Sequence, residues 1–159
     1  MMNLNYTAFF LISFIPLIIA AIWYNPKSLI VKWAGIEGLI GLKWWQVLLA
    51  FGLSFTLVYG YINLVIHQMG FYELFFTDIM MGKEESQQVV DDFLTKYRHK
   101  HRHFGHGVFH GIINAFVFGV PFVGFHALVE KKSMRYVWAH LSYWLITSIL
   151  ISAFISEFV

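Results

Sequence analysis

The chain has 159 residues, of which 58% are hydrophobic, 19% aromatic and only 13% charged. Soluble domains carry about 45–50% apolar and about 25% charged residues, so a water-soluble globule is the poorer fit. A formal charge of +2 argues against nucleic acid as a partner, and the absence of cysteine excludes disulfides, thiol catalysis and thiolate metal sites.

Crossing a bilayer takes about 20 mostly apolar residues, and the chain holds segments of that kind. The first, residues 6–24, lies in a stretch without charge from Met1 to Pro26. It has no basic leader and is followed by Asn25-Pro26 rather than a small-residue cleavage site, so a retained span is expected and not a signal peptide. The second, residues 44–67, falls in the uncharged interval between Lys43 and Glu73. Residues 70–104 are the one substantial extramembrane segment, and Val90, Phe93, Leu94 and Tyr97 follow helical i, i+3, i+4, i+7 spacing. A short amphipathic extramembrane helix is expected there, its apolar face on the membrane surface, on a partner, or on the end of the bundle. The third span, residues 105–129, contains no Asp, Glu, Lys or Arg, and the fourth covers residues 136–156.

Aromatic residues crowd the span ends (Trp23, Tyr24, Trp44, Trp45, Tyr136, Trp138), where rings sit at headgroup level. Backbone groups in lipid must be satisfied within their own segment, so each span is expected to be helical. The predicted fold is an all-α integral membrane four-helix bundle, a single domain over residues 1–159 built of two helical hairpins. A shift of 105 residues aligns Pro16 with Pro121, Lys27-Ser28 with Lys132-Ser133, and Trp33-Ala34 with Trp138-Ala139, the pattern of a duplicated two-helix unit. The hairpin loops hold Lys27, Lys32, Lys43, Lys131, Lys132 and Arg135, and the opposite side Lys83, Lys96, Arg98, Lys100 and Arg102. Short loops dominate orientation, so the hairpin loops are expected on the cytoplasmic side.

The stretch RHKHRHFGHGVFHG, residues 98–111, sets five histidines before the third span. On one continuous helix His99, His103, His106 and His110 would form a stripe with Asp92, and histidines at i, i+4 can share a metal. Arg98, Lys100 and Arg102 oppose a cation there, and the stripe lies opposite the Val90 face, so His99 and His103 are expected to point to water. His106 and His110 enter the span, and Asn114 continues their row. Beside it Gly107, Gly111, Ala115 and Gly119 form a row of small residues that lets helices approach closely, which predicts a central place for the third span.

The second span ends where the third begins, with Tyr59, Asn63 and His67 in one row. Asn3, Asn5 and Thr7 of the first span and Ser152, Ser156 and Glu157 of the fourth lie at the same face. A polar cluster of His67, His106, His110, Asn63 and Asn114, with Glu157 in reach, is therefore expected at that membrane face. Three roles remain open for it. It can be a hydrogen-bonded knot at about 0.6–2 kcal/mol per bond. It can be a proton or ligand site, or a metal site on His106, His110 and His67. At the opposite face His126 and Glu130 are spaced to pair, and His126 and His140 read as interfacial anchors. No Ser-His-Asp set, phosphate-binding glycine loop or paired intramembrane carboxylates can be read, and neither a catalytic set nor a cofactor is expected.

Taken in order, Trp23-Tyr24-Asn25-Pro26-Lys27-Ser28 through Gly35, GLSF at 52–55, HGVFHG at 106–111 and the run from Pro121 to Trp144 resemble domain-of-unknown-function family 1761. That resemblance implies four membrane helices and a bacterial inner membrane, and no established activity. The expected role is a non-enzymatic accessory or assembly subunit, with the lipid bilayer and a membrane-protein partner or a second copy as its contacts. The alternative is a transporter-like or sensor protein that uses the histidine cluster for a proton or a metal.

Overall fold

The computed structural model describes residues 4–159, and among these the chain is helical without strands; Asn3 lies outside the described residues. The first span is two helices, α1 (Tyr6–Ile12) and α2 (Ile15–Trp23). Pro16 causes the break, since it lacks an N–H and its ring crowds the carbonyl of Ile12. Buried Ser13 fills the gap: its hydroxyl donates to the Phe9 carbonyl at 3.0 Å, and its own carbonyl accepts from Ser54 Oγ at 2.5 Å.

After a short helix α3 (Leu29–Ala34), which ends on Gly35 at φ 65°, α4 (Trp44–Val65) forms the second span. A left-handed residue at a helix end is one that glycine adopts without Cβ strain. The chain then turns at buried Ile66 (φ −94°, ψ 90°) and restarts at once as α5 (His67–Met80). Gly82 at φ 75° reverses it into α6 (Glu84–Tyr97), and Lys83 bridges back to Asp78 at 2.7 Å. That exposed ammonium holds the Asp78 carboxyl below the usual carboxylate range.

The third span joins α7 (Phe104–Asn114), a π-helical turn (Ala115–Gly119) and α8 (Val120–Val129). The π turn contains Val117, whose carbonyl Pro121 would otherwise meet, so this proline acts as Pro16 does in the first span. The fourth span is α9 (Met134–Phe158), capped by Ser133 Oγ accepting from Tyr136 N at 3.3 Å; Ser28 caps α3 in the same way through Val31 N at 3.3 Å. The positions matched by the 105-residue shift thus share a proline break and a serine cap.

Among the described residues four helical spans are long and apolar enough to cross a membrane: Tyr6–Trp23, Trp44–Val65, Phe104–Val129 and Met134–Phe158. The protein is a multi-pass, all-helical membrane protein. The centre of the bundle, however, is the fourth span and not the third. α9 touches α1, α2, α3, α4, α7 and α8, and buries Ser148, Ser152, Ala153 and Ser156 as well as Ile151 and Ile155. The third span keeps Phe109, Phe116 and Phe125 exposed on its outer face. Its glycine row still packs as the spacing predicted. A Cβ built on Gly107 would stand 2.5 Å from Ala153 Cα, and one on Gly111 2.6 Å from the Ser148 carbonyl oxygen.

The extramembrane segment also differs from expectation, being a two-helix hairpin. Val90 and Leu94 are buried and Phe93 stacks on Phe71 at 3.8 Å, so α5 covers the apolar face of α6. At the far membrane face, Trp23 Nε1 donates to the Ala139 carbonyl at 2.9 Å and the Tyr24 hydroxyl meets His140 Nδ1 at 2.7 Å. His140 is thus a tie between the first and fourth spans. His126 lies beside Tyr136, with ring centroids 6.1 Å apart, and forms no ion pair with Glu130 among the described residues.

Candidate metal centre

The turn at Ile66 sets the geometry of the site. It makes His67 the first residue of α5 and turns it towards span 3, where His106 and His110 sit one helical turn apart on α7. The three rings meet nearly edge-on. Centroids are 4.8 Å apart for His67–His110, 5.4 Å for His67–His106 and 4.5 Å for His106–His110, with interplanar angles of 64°, 76° and 64°. One ring nitrogen from each lies within 4.8 Å of the other two. Around a tetrahedral ion with Zn–N bonds of 2.0–2.1 Å, neighbouring nitrogens stand about 3.3 Å apart, so side-chain rotations closing at most about 1.5 Å suffice. His67 is exposed and the other two half-buried, which leaves the group reachable from water. His106 Nε2 is buried without a hydrogen-bond partner among the described residues. Such a nitrogen usually has a donor, a water or an ion beside it.

The segment between α6 and α7 is fastened around this triad. Buried Gln68 donates through Nε2 to the carbonyls of Tyr97 at 2.8 Å and Lys100 at 2.9 Å. Ser156 Oγ donates to the carbonyls of His101 (3.3 Å) and His103 (3.0 Å), and Arg102 Nε donates to the Ser156 carbonyl at 3.2 Å. Burial pulls the Arg102 guanidinium below its usual range. Glu157 accepts from the backbone N–H of Phe104 at 2.8 Å, so it holds the start of α7 rather than joining the cluster.

These ties keep His101 in the left-handed region at φ 62°, a conformation that costs a non-glycine residue about 1–2 kcal/mol. In that pose its ring stacks on His106, with centroids 5.1 Å apart and an interplanar angle of 25°. Since residues 98–103 lie outside both helices, the continuous stripe through His99 and His103 does not form. His103 is instead the N-cap of α7, its Nδ1 accepting from His106 N at 3.2 Å, so its proton sits on Nε2.

Asn114 continues the His106–His110 row as predicted; it is 4% exposed and its Nδ2 has no partner among the described residues. Asn63 is half-buried on α4 and hydrogen-bonds to none of the histidines among the described residues. The turn at Ile66 rotates His67 out of the row that Asn63 and Tyr59 share on α4. Sequence reasoning missed Gln68 and His101, since neither a core glutamine nor a left-handed histidine leaves a spacing signal.

On the water side, His67 borders a cavity of about 400 Å³ together with Gln68, Phe93, Tyr97, Lys100 and His101. The arrangement offers three imidazole nitrogen donors and a route for a hydrated ion. No family model, no curated protein and no solved structure matches the chain.

Proposed function

We propose that the protein binds one divalent transition-metal ion between His67, His106 and His110 and responds to it, a sensor-like role rather than a catalytic one. The convergence of three ring nitrogens within 4.8 Å, from two separate parts of the chain, carries this reading. Nitrogen-only donor sets suit zinc, copper, nickel or iron rather than calcium or magnesium, and three histidines leave a fourth position for water or a ligand. An ion there ties the start of α5 to span 3, so the α5–α6 hairpin takes a position that depends on the metal. The resemblance to domain-of-unknown-function family 1761 supports a bacterial inner membrane as the setting. The accessory role fits the same picture, because Leu74, Met80 and Met81 stand exposed on the hairpin and offer a partner subunit something to read.

The test is cobalt titration of the tag-free protein in detergent, followed by zinc competition. One equivalent of cobalt with the visible bands of a tetrahedral nitrogen site is expected, lost in His67→Ala, His106→Ala and His110→Ala. Binding that survives all three substitutions, or no binding in the intact protein, refutes the reading.

A further inference from the structure

We infer that the open position of this centre receives the anionic oxygen head of a single-chain amphiphile, whose chain lies in the cleft between spans 2 and 3. The inference rests on the metal reading above and names the ligand that completes the ion.

The cleft follows from the divergence of α4 from the third span, which meet only sparsely. It encloses about 390 Å³, with Leu53, Gly60 and Leu64 along one wall, Phe118 and Phe122 along the other and Trp144 at its base. That is within the range of ligand-sized pockets, about 300–1,000 Å³. Gly60 helps to keep it open, since a Cβ there would meet nothing within 4 Å. Along α4 the lining runs from Leu53 to Leu64, about 16 Å at the helical rise of 1.5 Å per residue. One leaflet of a hydrocarbon core of about 30 Å has about that depth, so the cleft matches one chain entering from one membrane face.

Both walls lead up to the histidines. Leu64 lies one turn before His67. On the third span His106, His110, Asn114, Phe118 and Phe122 recur at every fourth position. The π turn over Ala115–Gly119 advances less per residue than an α turn, which keeps this row from drifting round the helix. Asn114 stands between the triad and the cleft, 4% exposed, with an unpartnered amide donor. Lys100 lines the water-side cavity that His67 also borders and adds positive charge beside the triad. A metal ion and an amide donor in the row that leads into a one-chain cleft complement an anionic oxygen head, which a fatty acid or a lysophospholipid phosphate supplies equally.

The experiment uses the cobalt-loaded, tag-free protein titrated with oleate, with lysophosphatidate and with an uncharged monoacylglycerol. Either anionic amphiphile is expected to shift the cobalt bands as its head displaces water, and which one does so identifies the source; the uncharged one is expected to leave them unchanged. Gly60→Leu, which fills the cleft, should weaken the response at least tenfold while cobalt still binds. Unshifted bands with both anions, an equal response to the uncharged lipid, or an undiminished response in Gly60→Leu overturns the inference and leaves the metal reading standing. Failure to load cobalt at all removes both, and the absent bands identify the metal reading as the one that failed.

Discussion

Replacing Gly107 by alanine tests whether the approach of spans 3 and 4 sets the histidine geometry. The added Cβ would lie 2.5 Å from Ala153 Cα, where ordinary contact begins at 3.4 Å. The obstacle is backbone on a central helix, the Ser152 carbonyl oxygen standing nearer still, so no side chain can swing away and the helices must part by about 1 Å. Overpacking of this kind typically costs about 1–3 kcal/mol. Gly107 sits between His106 and His110 on α7, whereas His67 is anchored on α5, so parting the helices also spreads the triad. Weaker cobalt binding by about tenfold corresponds to about 1.4 kcal/mol. The control is Gly124→Ala on the same span, where a Cβ meets nothing within 4 Å. Alanine there should be neutral or stabilising by about 0.5–1 kcal/mol, because glycine inside a helix carries that penalty. Unfolding of both variants in mixed micelles, beside their cobalt titrations, separates the effects. Equal stability of Gly107→Ala and wild type would refute the close-contact argument.

Gln68→Leu strands the carbonyls of Tyr97 and Lys100 in a part-buried place. A loss of about 1–3 kcal/mol is expected, with faster amide exchange over residues 98–103 than elsewhere in the chain. Tyr24→Phe removes the contact to His140 and should cost about 0.5–1.5 kcal/mol in the same unfolding assay. Burial raises the Tyr24 hydroxyl above its ordinary value of 10.0, so above pH 10 the unfolded chain loses this proton and the folded chain keeps it. Stability therefore falls as pH rises through that window, and Tyr24→Phe should flatten part of the alkaline loss. Metal binding requires neutral imidazoles, so acid should release bound cobalt, with protons taken up as the ion leaves.

The spans were legible because hydropathy and the lack of charge act over whole segments, and the structural ends of the four spans fall within two residues of those read from sequence. The meeting of His67 with His106 and His110 followed from hairpin order and i, i+4 spacing alone. The turn at Ile66 did not, since neither proline nor glycine marks it and a buried isoleucine in extended conformation leaves no signal in the sequence. That one residue explains why Asn63 stands apart. Val90 and Leu94 were recognisable as an apolar face, yet their cover, α5 with Phe71, had no helical break in the sequence to set it off from α4. The central position of α9 was masked because serines and alanines bury as small residues without looking apolar.

The same turn at Ile66 has a mechanical consequence. α5 has 14 residues, which makes it a rod about 21 Å long, pivoted beside His67. A tilt of about 10° at the pivot carries its far end through about 4 Å. A closure of the histidines by an ångström or so on metal binding would thus be magnified at Met80 and Met81, outside the membrane, into a displacement large enough to make or break a contact with another protein.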